Sequence, residues 1–410
     1  MPAIVPNVVE RHSAEAAFLW SLRDAATDQP HYTLGHLAKL EARLEAHIDG
    51  LRVAKDAGFE IARAQLDRAP GPGELFVVAT LALERRDDKS VEFVLDLAEA
   101  APAARRGLFG ALGWVTPETL RGRVVRWLDA SSPFRRLAGV VACSLHRADP
   151  GASVERLLRD EPLARARTLR LTGELGRVDL RERVRRALDD EDLACRFWAA
   201  WSAGLLRDRE SAIRALKTLS TESHRFQSRA LDMLVRLLDL EDAKGWLREF
   251  GRDPAHGRLL VIATGALGDP VVVTWLLEKM SVPALARLAG ESFTMITGTD
   301  LAEEMLDGQV PDGFDASTAD ESDVANLPWP DRDQVRLWWE KEHIHFRVGV
   351  RYLSGRPLTR AACAEILRDG RQRQRRAAAY ELALLSSHRL LNWRARAEMQ
   401  DESLRAAVSA

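Results

Sequence analysis

Residues 31–54, HYTLGHLAKLEARLEAHIDGLRVA, place Leu34, Leu37, Leu40, Leu44, His47 and Leu51 three or four apart, the spacing of one helix face. A long helix near the start of the chain follows from that spacing. A different pattern occupies 265–280, GALGDPVVVTWLLEKM. There Gly268 can take the left-handed conformation that closes a helix, Asp269 can cap the next one, and Pro270 suits a first turn, where no amide hydrogen is needed. A helix stop is followed at once by a helix start. The second helix, with Val271, Val272, Val273, Trp275, Leu276 and Leu277, is apolar on all sides and predicts packing against neighbours on both flanks.

The stop signature recurs as ALGW at 111–114, SLHRAD at 144–149, ELGRVD at 174–179, LLRDRE at 205–210, LLDLED at 237–242 and ALGDPV at 266–271, with spacings of 33, 30, 31, 32 and 29 residues. Two helices of about 11 residues and two short turns need that length. An Arg- and Ala-rich first helix recurs at Arg135–Ala138, Ala166–Leu169 and, with aromatic residues, Phe197–Ala200; second helices read VERLLRD and ERVRRALDD. The copy at 237–242 lacks the turn glycine, and beyond about residue 285 the pattern drifts into SFTMITGTDL.

These features resemble the HEAT-like repeats of the phycobilisome-lyase type over roughly 73–308. The resemblance implies an all-α chain, an α-solenoid of stacked helical hairpins with helical caps at both ends. The expected organisation is a cap over 1–72, a repeat solenoid over 73–308, an acidic loop over 309–333 and a C-terminal helical segment over 334–410. The loop expectation rests on ten acidic side chains against one Arg in 301–333, with Pro311, Pro328 and Pro330. AAFLWSLRDAA, residues 31–54, SFTMITGTDL, LPWPDRDQVRLWW, RYLSGRPLT and RQRQRRAAAYELALL together resemble a bacterial family often encoded near type VI secretion clusters. That similarity implies a cytoplasmic helper in loading a secreted cargo and supplies no catalytic residues.

Composition changes the picture only in places. Hydrophobic residues make up 46% and charged residues 29% of 410, which supports a folded, well-solvated chain. The net charge of -2 gives no global pull toward nucleic acid or membrane. Of the basic residues only seven are Lys and 52 are Arg; GC-rich coding explains the bias, and a surface built for bidentate anion contacts is the sharper alternative. Cys143, Cys195 and Cys363 lie far apart in apolar helical patterns and read as small buried hydrophobes in a reducing compartment. The first twenty residues show no signal peptide, and no apolar run approaches the roughly 20 residues of a membrane span, so a cytoplasmic protein is expected.

Candidate chemistry is sparse. His343 and His345 in EKEHIHF point about 200° apart on a helix and are ill placed to share one metal ion. None of the ten His is followed by Glu, which excludes the His-Glu pattern of HEAT-type di-iron hydroxylases. G-x-S-x-G and G-x-x-x-x-G-K are absent, and Asp87-Asp88 and Asp189-Asp190 read as turn caps. No catalytic residue, cofactor or metal is assigned.

RDGRQRQRR at 368–376 gathers Arg371, Arg373, Arg375 and Arg376 at a helix start, while Trp198 and Trp201 share a helix face. Both are candidate partner-binding groups, the tryptophans as anchors or as core filler. The function expected is a non-enzymatic protein-binding scaffold, an adaptor or chaperone-like factor for a type VI effector or spike component. The alternative is nucleic-acid binding through the Arg cluster. A contact between the acidic loop and that cluster within the chain is an equally simple use of both.

Overall fold

A computed structural model describes residues 4–314, 324, 326–386 and 389–409. The described chain is all-α: helices succeed one another from Pro6–Ala26 to Ala397–Ser409, broken by short 3-10 turns and one hairpin of two-residue strands. Contacts divide it into two compact units. Unit 1 holds Met1–Asp28, Tyr32–Leu175 and Leu391–Ala410; unit 2 holds Gln29–His31 and Gly176–Leu390. The first unit therefore takes in the last twenty residues of the 334–410 segment, and the second takes the rest.

All six stop signatures fall at helix ends, after Arg105–Trp114, Pro133–His146, Pro162–Leu175, Leu193–Leu205, Gln227–Leu237 and Gly257–Leu267. Gly176 (φ 66°) and Gly268 (φ 70°) adopt the left-handed conformation there, Arg147 (φ 53°) and Arg207 (φ 65°) adopt it in the copies at 144–149 and 205–210, and in the copy at 237–242 Leu238 is extended instead (φ -68°). Two of the second helices are shorter than two equal helices would require, while Arg209–Thr221 and Leu240–Phe250 reach the expected length. VERLLRD yields only Ser153–Leu157, and ERVRRALDD gives Arg181–Arg186 between 3-10 turns at Val178–Leu180 and Ala187–Asp189. Charged side chains alternate too closely in these segments to maintain a broad apolar face, so one or two turns suffice to bury what they have.

Unit 1 opens on two long helices, Pro6–Ala26 packed on Leu34–Val53. On the second, Leu37, Leu44, Ile48 and Leu51 are fully buried, and Ile48 takes the inward position that the spacing gave to His47. His47 stands beside His12 at the half-buried edge, with ring centroids 5.2 Å apart. Thr33 caps this helix by accepting from the His36 amide at 3.3 Å. The C-terminal helix Ala397–Ser409 packs on Leu34–Val53. A buried ion pair anchors its start: Arg23 donates to Glu41 at 2.7 Å and to the Ala395 carbonyl at 2.7 Å, while the other Glu41 oxygen accepts from the Ala397 amide at 2.7 Å.

In unit 2 the first helices Leu193–Leu205, Gln227–Leu237, Gly257–Leu267 and Pro283–Thr297 pack in sequence order. Asp269 accepts from the Val271 amide at 3.1 Å and Pro270 begins the next turn. Asp269 is also fully buried and meets Lys244 at 2.8 Å. RYLSGRPLT forms the antiparallel strands Tyr352–Leu353 and Arg356–Pro357. Ser354 (φ 52°) and Gly355 (φ 76°) supply the positive φ values of its two-residue connection. The hairpin lies across two helix ends, with Tyr352 donating to the Gly268 carbonyl at 2.8 Å and Ser354 to that of Met295 at 2.7 Å. Gly268 thus needs both its left-handed φ and its missing Cβ, which would meet the Tyr352 backbone.

The acidic 309–333 stretch is not an exposed loop throughout. Gly308 donates to Trp329 at 2.8 Å and Asp331 to Leu306 at 2.8 Å, and Leu327 is 4% exposed. Apolar residues at its far end return to the core. Residues 315–323 and 325, which carry four of the acidic side chains, lie outside the described residues.

Candidate functional site

The Arg cluster does not form one basic surface. Arg371 stands just before the helix Gln372–Leu385, and its amide donates to Gln374 at 3.0 Å. Its guanidinium pairs with Asp300 and, at 3.0 Å, with Glu303. Arg375 is 1% exposed and donates to the Leu367 carbonyl at 2.8 Å and to Gln372. Arg373 lies 3.6 Å from Glu291, and Arg376 alone of the four is exposed. Both partners of Arg371, Asp300 and Glu303, precede the 309–333 stretch. Three of four guanidinium groups therefore face their own chain.

Trp201, on Leu193–Leu205, is 3% exposed and packs edge-on against Trp198 at 5.3 Å and Tyr380 at 6.0 Å. Tyr380 belongs to the helix that begins with the Arg cluster, so Trp201 packs against a later turn of that helix. Trp198 is only partly buried.

Arg371 and Arg373 line a cavity of about 440 Å³. The helix Pro283–Thr297 presents Glu291, Thr294 and Met295 to it, three and four residues apart and hence on one face. Leu301 and Leu327 supply apolar wall. Glu291 is the unusual member. Burial raises its pKa above the ordinary carboxylate range, and Arg373, Arg376 and Arg371 offset that only in part. Its nearest charged partner is Arg373 at 3.6 Å, longer than a hydrogen bond.

Two buried charge clusters were not singled out by sequence reasoning. In unit 1, Glu174 is fully buried and accepts from Arg170 at 2.7 Å, from Arg147 at 3.1 Å and from the Ser144 hydroxyl. Burial works to raise its pKa, but Arg147, Arg170, Arg167 and Ser144 overcome it and hold the carboxyl at about 2. Arg167 has no such partner: its Nε is buried without a hydrogen bond, and burial together with Arg170 presses its pKa down to about 9. In unit 2, buried Arg236 pairs with Glu381 at 2.6 Å and Asp232 at 2.9 Å. The signal for both was a lone acid inside an apolar helical run, RLTGELG and AAYELALLS. Such a residue must bring its own counterions into the core.

His343 and His345 are both exposed on a 3-10 turn, where His343 meets the Glu340 carbonyl at 2.9 Å. Among the described residues no three metal-ligating side chains converge, and no helix is long and apolar enough to cross a membrane. All three cysteines are buried and unbridged. No protein-family model, curated protein or solved structure matches the chain.

Proposed function

We propose that the protein is a non-enzymatic helical scaffold that binds a protein partner in the cytoplasm, most concretely an adaptor for a type VI secretion effector or spike component. The observation that carries the binding role is apolar exposure along residues 337–348 of unit 2. Leu337 is 54% exposed, Ile344 73% and Val348 65%. Leu337 lies on the helix Arg332–Glu342 and Ile344 on the 3-10 turn His343–His345 that follows it directly. Half-buried Trp338 and Trp339 lie between them in sequence. Folded chains seldom leave such a group to water unless a partner covers it. The secretion context comes from the family resemblance of the LPWPDRDQVRLWW and SFTMITGTDL segments.

The test is affinity purification of the tagged protein from its native host with a high-salt wash. A spike or effector protein retained by the native chain and lost from a Leu337→Ser/Ile344→Ser double variant supports the reading. A folded native chain that retains neither, under conditions where known adaptors hold their cargo, overturns it.

A further inference from the structure

We propose that the cavity beside Glu291 receives an arginine or lysine side chain from an extended segment of the protein partner. The inference rests on the scaffold reading and names the chemistry of what the scaffold grips. Glu291 is a partly buried carboxylate, its side chain 17% exposed to the cavity, whose two oxygens can accept about four hydrogen bonds; its contact with Arg373 at 3.6 Å supplies none. Arg371 does not make up the deficit, because Asp300 and Glu303 hold it. A donor-bearing group from outside completes the site, and a cation does so best.

The walls fit the rest of such a side chain. Met295, Leu301 and Leu327 offer apolar surface along which the methylenes of Arg or Lys can lie while the charged head reaches the acid. Thr294 adds a hydroxyl acceptor on the same helix face as Glu291. The volume of about 440 Å³ lies within the range of built binding pockets. Beyond Asp300 the chain exposes Glu303, Glu304, Asp307 and Asp312, and no Lys or Arg occurs between 301 and 314. That rim attracts a basic segment and repels an acidic one. A carboxylate ligand on Arg373 would have to enter past those acids and lie against Glu291.

The six methionines make the experiment direct. The full chain is labelled with methyl-13C methionine, the Met295 resonance is assigned with Met295→Leu, and N-acetyl-arginine methylamide is titrated, with the capped lysine and glutamate analogues in parallel. The expected result is a saturable shift of the Met295 methyl with capped arginine or lysine and none with capped glutamate. Glu291→Gln weakens the dissociation constant roughly tenfold, Glu291→Asp gives an intermediate loss, and unmoved remaining methionine signals show that both variants are folded. The proposal is overturned if capped glutamate alone shifts Met295, if no analogue gives a saturable shift, or if Glu291→Gln leaves arginine binding unchanged. The titration needs no partner protein. A positive titration beside an empty purification sinks the scaffold reading alone, and a recovered partner beside a flat titration sinks this inference alone.

Discussion

Glu174 in unit 1 is fully buried and Glu291 in unit 2 partly so, both on long helices, and each feels three arginines, yet their pKa values move in opposite directions. Desolvation acts on both in the same sense. The difference lies in contact. Glu174 has two guanidinium groups at 2.7 and 3.1 Å and a serine hydroxyl, whereas Glu291 has one guanidinium at 3.6 Å. Nearby positive charge does not replace a direct hydrogen bond. Glu174 is a completed structural group; Glu291 is an acceptor still short of donors.

The largest effect that would test this contrast is Glu174→Gln, which strands Arg147, Arg170 and Arg167 in the core. We expect it to destabilise unit 1 by about 3 kcal/mol, at the lower end of losses for a broken buried pair. Urea unfolding at neutral pH, followed by circular dichroism, measures it, and a loss below about 1 kcal/mol would contradict the assigned role. Acid unfolding examines the same pair differently. With a folded value of about 2 against 4.5 in the unfolded chain, Glu174 contributes about 3 kcal/mol above pH 4.5. That contribution disappears as pH falls from 4.5 toward 2, so the native chain and Glu174→Gln should converge there.

Glu291 has the reverse sign. Its raised folded value means that the charged form is penalised at neutral pH and that protonation relieves the penalty as pH falls toward 4.5. Two smaller outcomes follow in thermal melts. Arg167→Met, which removes a cation without a hydrogen-bonded partner, should stabilise unit 1 by about 1 kcal/mol. Glu291→Gln should leave stability unchanged or improve it by up to about 1 kcal/mol at pH 7, with the gain shrinking toward pH 4.5. A clear loss in Glu291→Gln would mean that Arg373 is a firmer partner than 3.6 Å suggests.

The smallest effect reports on which unit opens first. Cys143 precedes Ser144, the hydroxyl on Glu174, and Cys363 lies in unit 2; burial raises both thiols to about 12. Iodoacetamide at pH 8 should leave both unmodified in the native chain. In moderate urea, Glu174→Gln should expose Cys143 to alkylation earlier than Cys363, as resolved by peptide mass spectrometry.

Helix punctuation was the most legible part of the sequence, because a glycine stop, an aspartate cap and a proline first turn act within a few residues of one another. Gly268, Asp269 and Pro270 take the roles that their chemistry predicts, and the same logic located helix ends where Arg147 and Arg207 replaced glycine. The hairpin at 352–357 was not legible, since its reason to exist is the docking of Tyr352 and Ser354 on helix ends some 60 to 80 residues earlier. The candidate site was half visible. The sequence assembled Arg371 to Arg376 into one cluster, but it could not tell that Arg375 turns inward or that Arg371 meets Asp300 and Glu303. Glu291 escaped notice because ARLAGESFTMIT gives no sign of which guanidinium its carboxylate approaches or at what distance.

The Glu41 pair also constrains how the molecule can be made. One oxygen of Glu41 is matched to Arg23 early in the chain, while the other waits for the Ala397 amide, 356 residues later. At the usual pace of translation that is roughly 20–70 s on the ribosome. The opening helices emerge first, yet during synthesis Glu41 keeps a carboxylate oxygen that only the finished chain can cover.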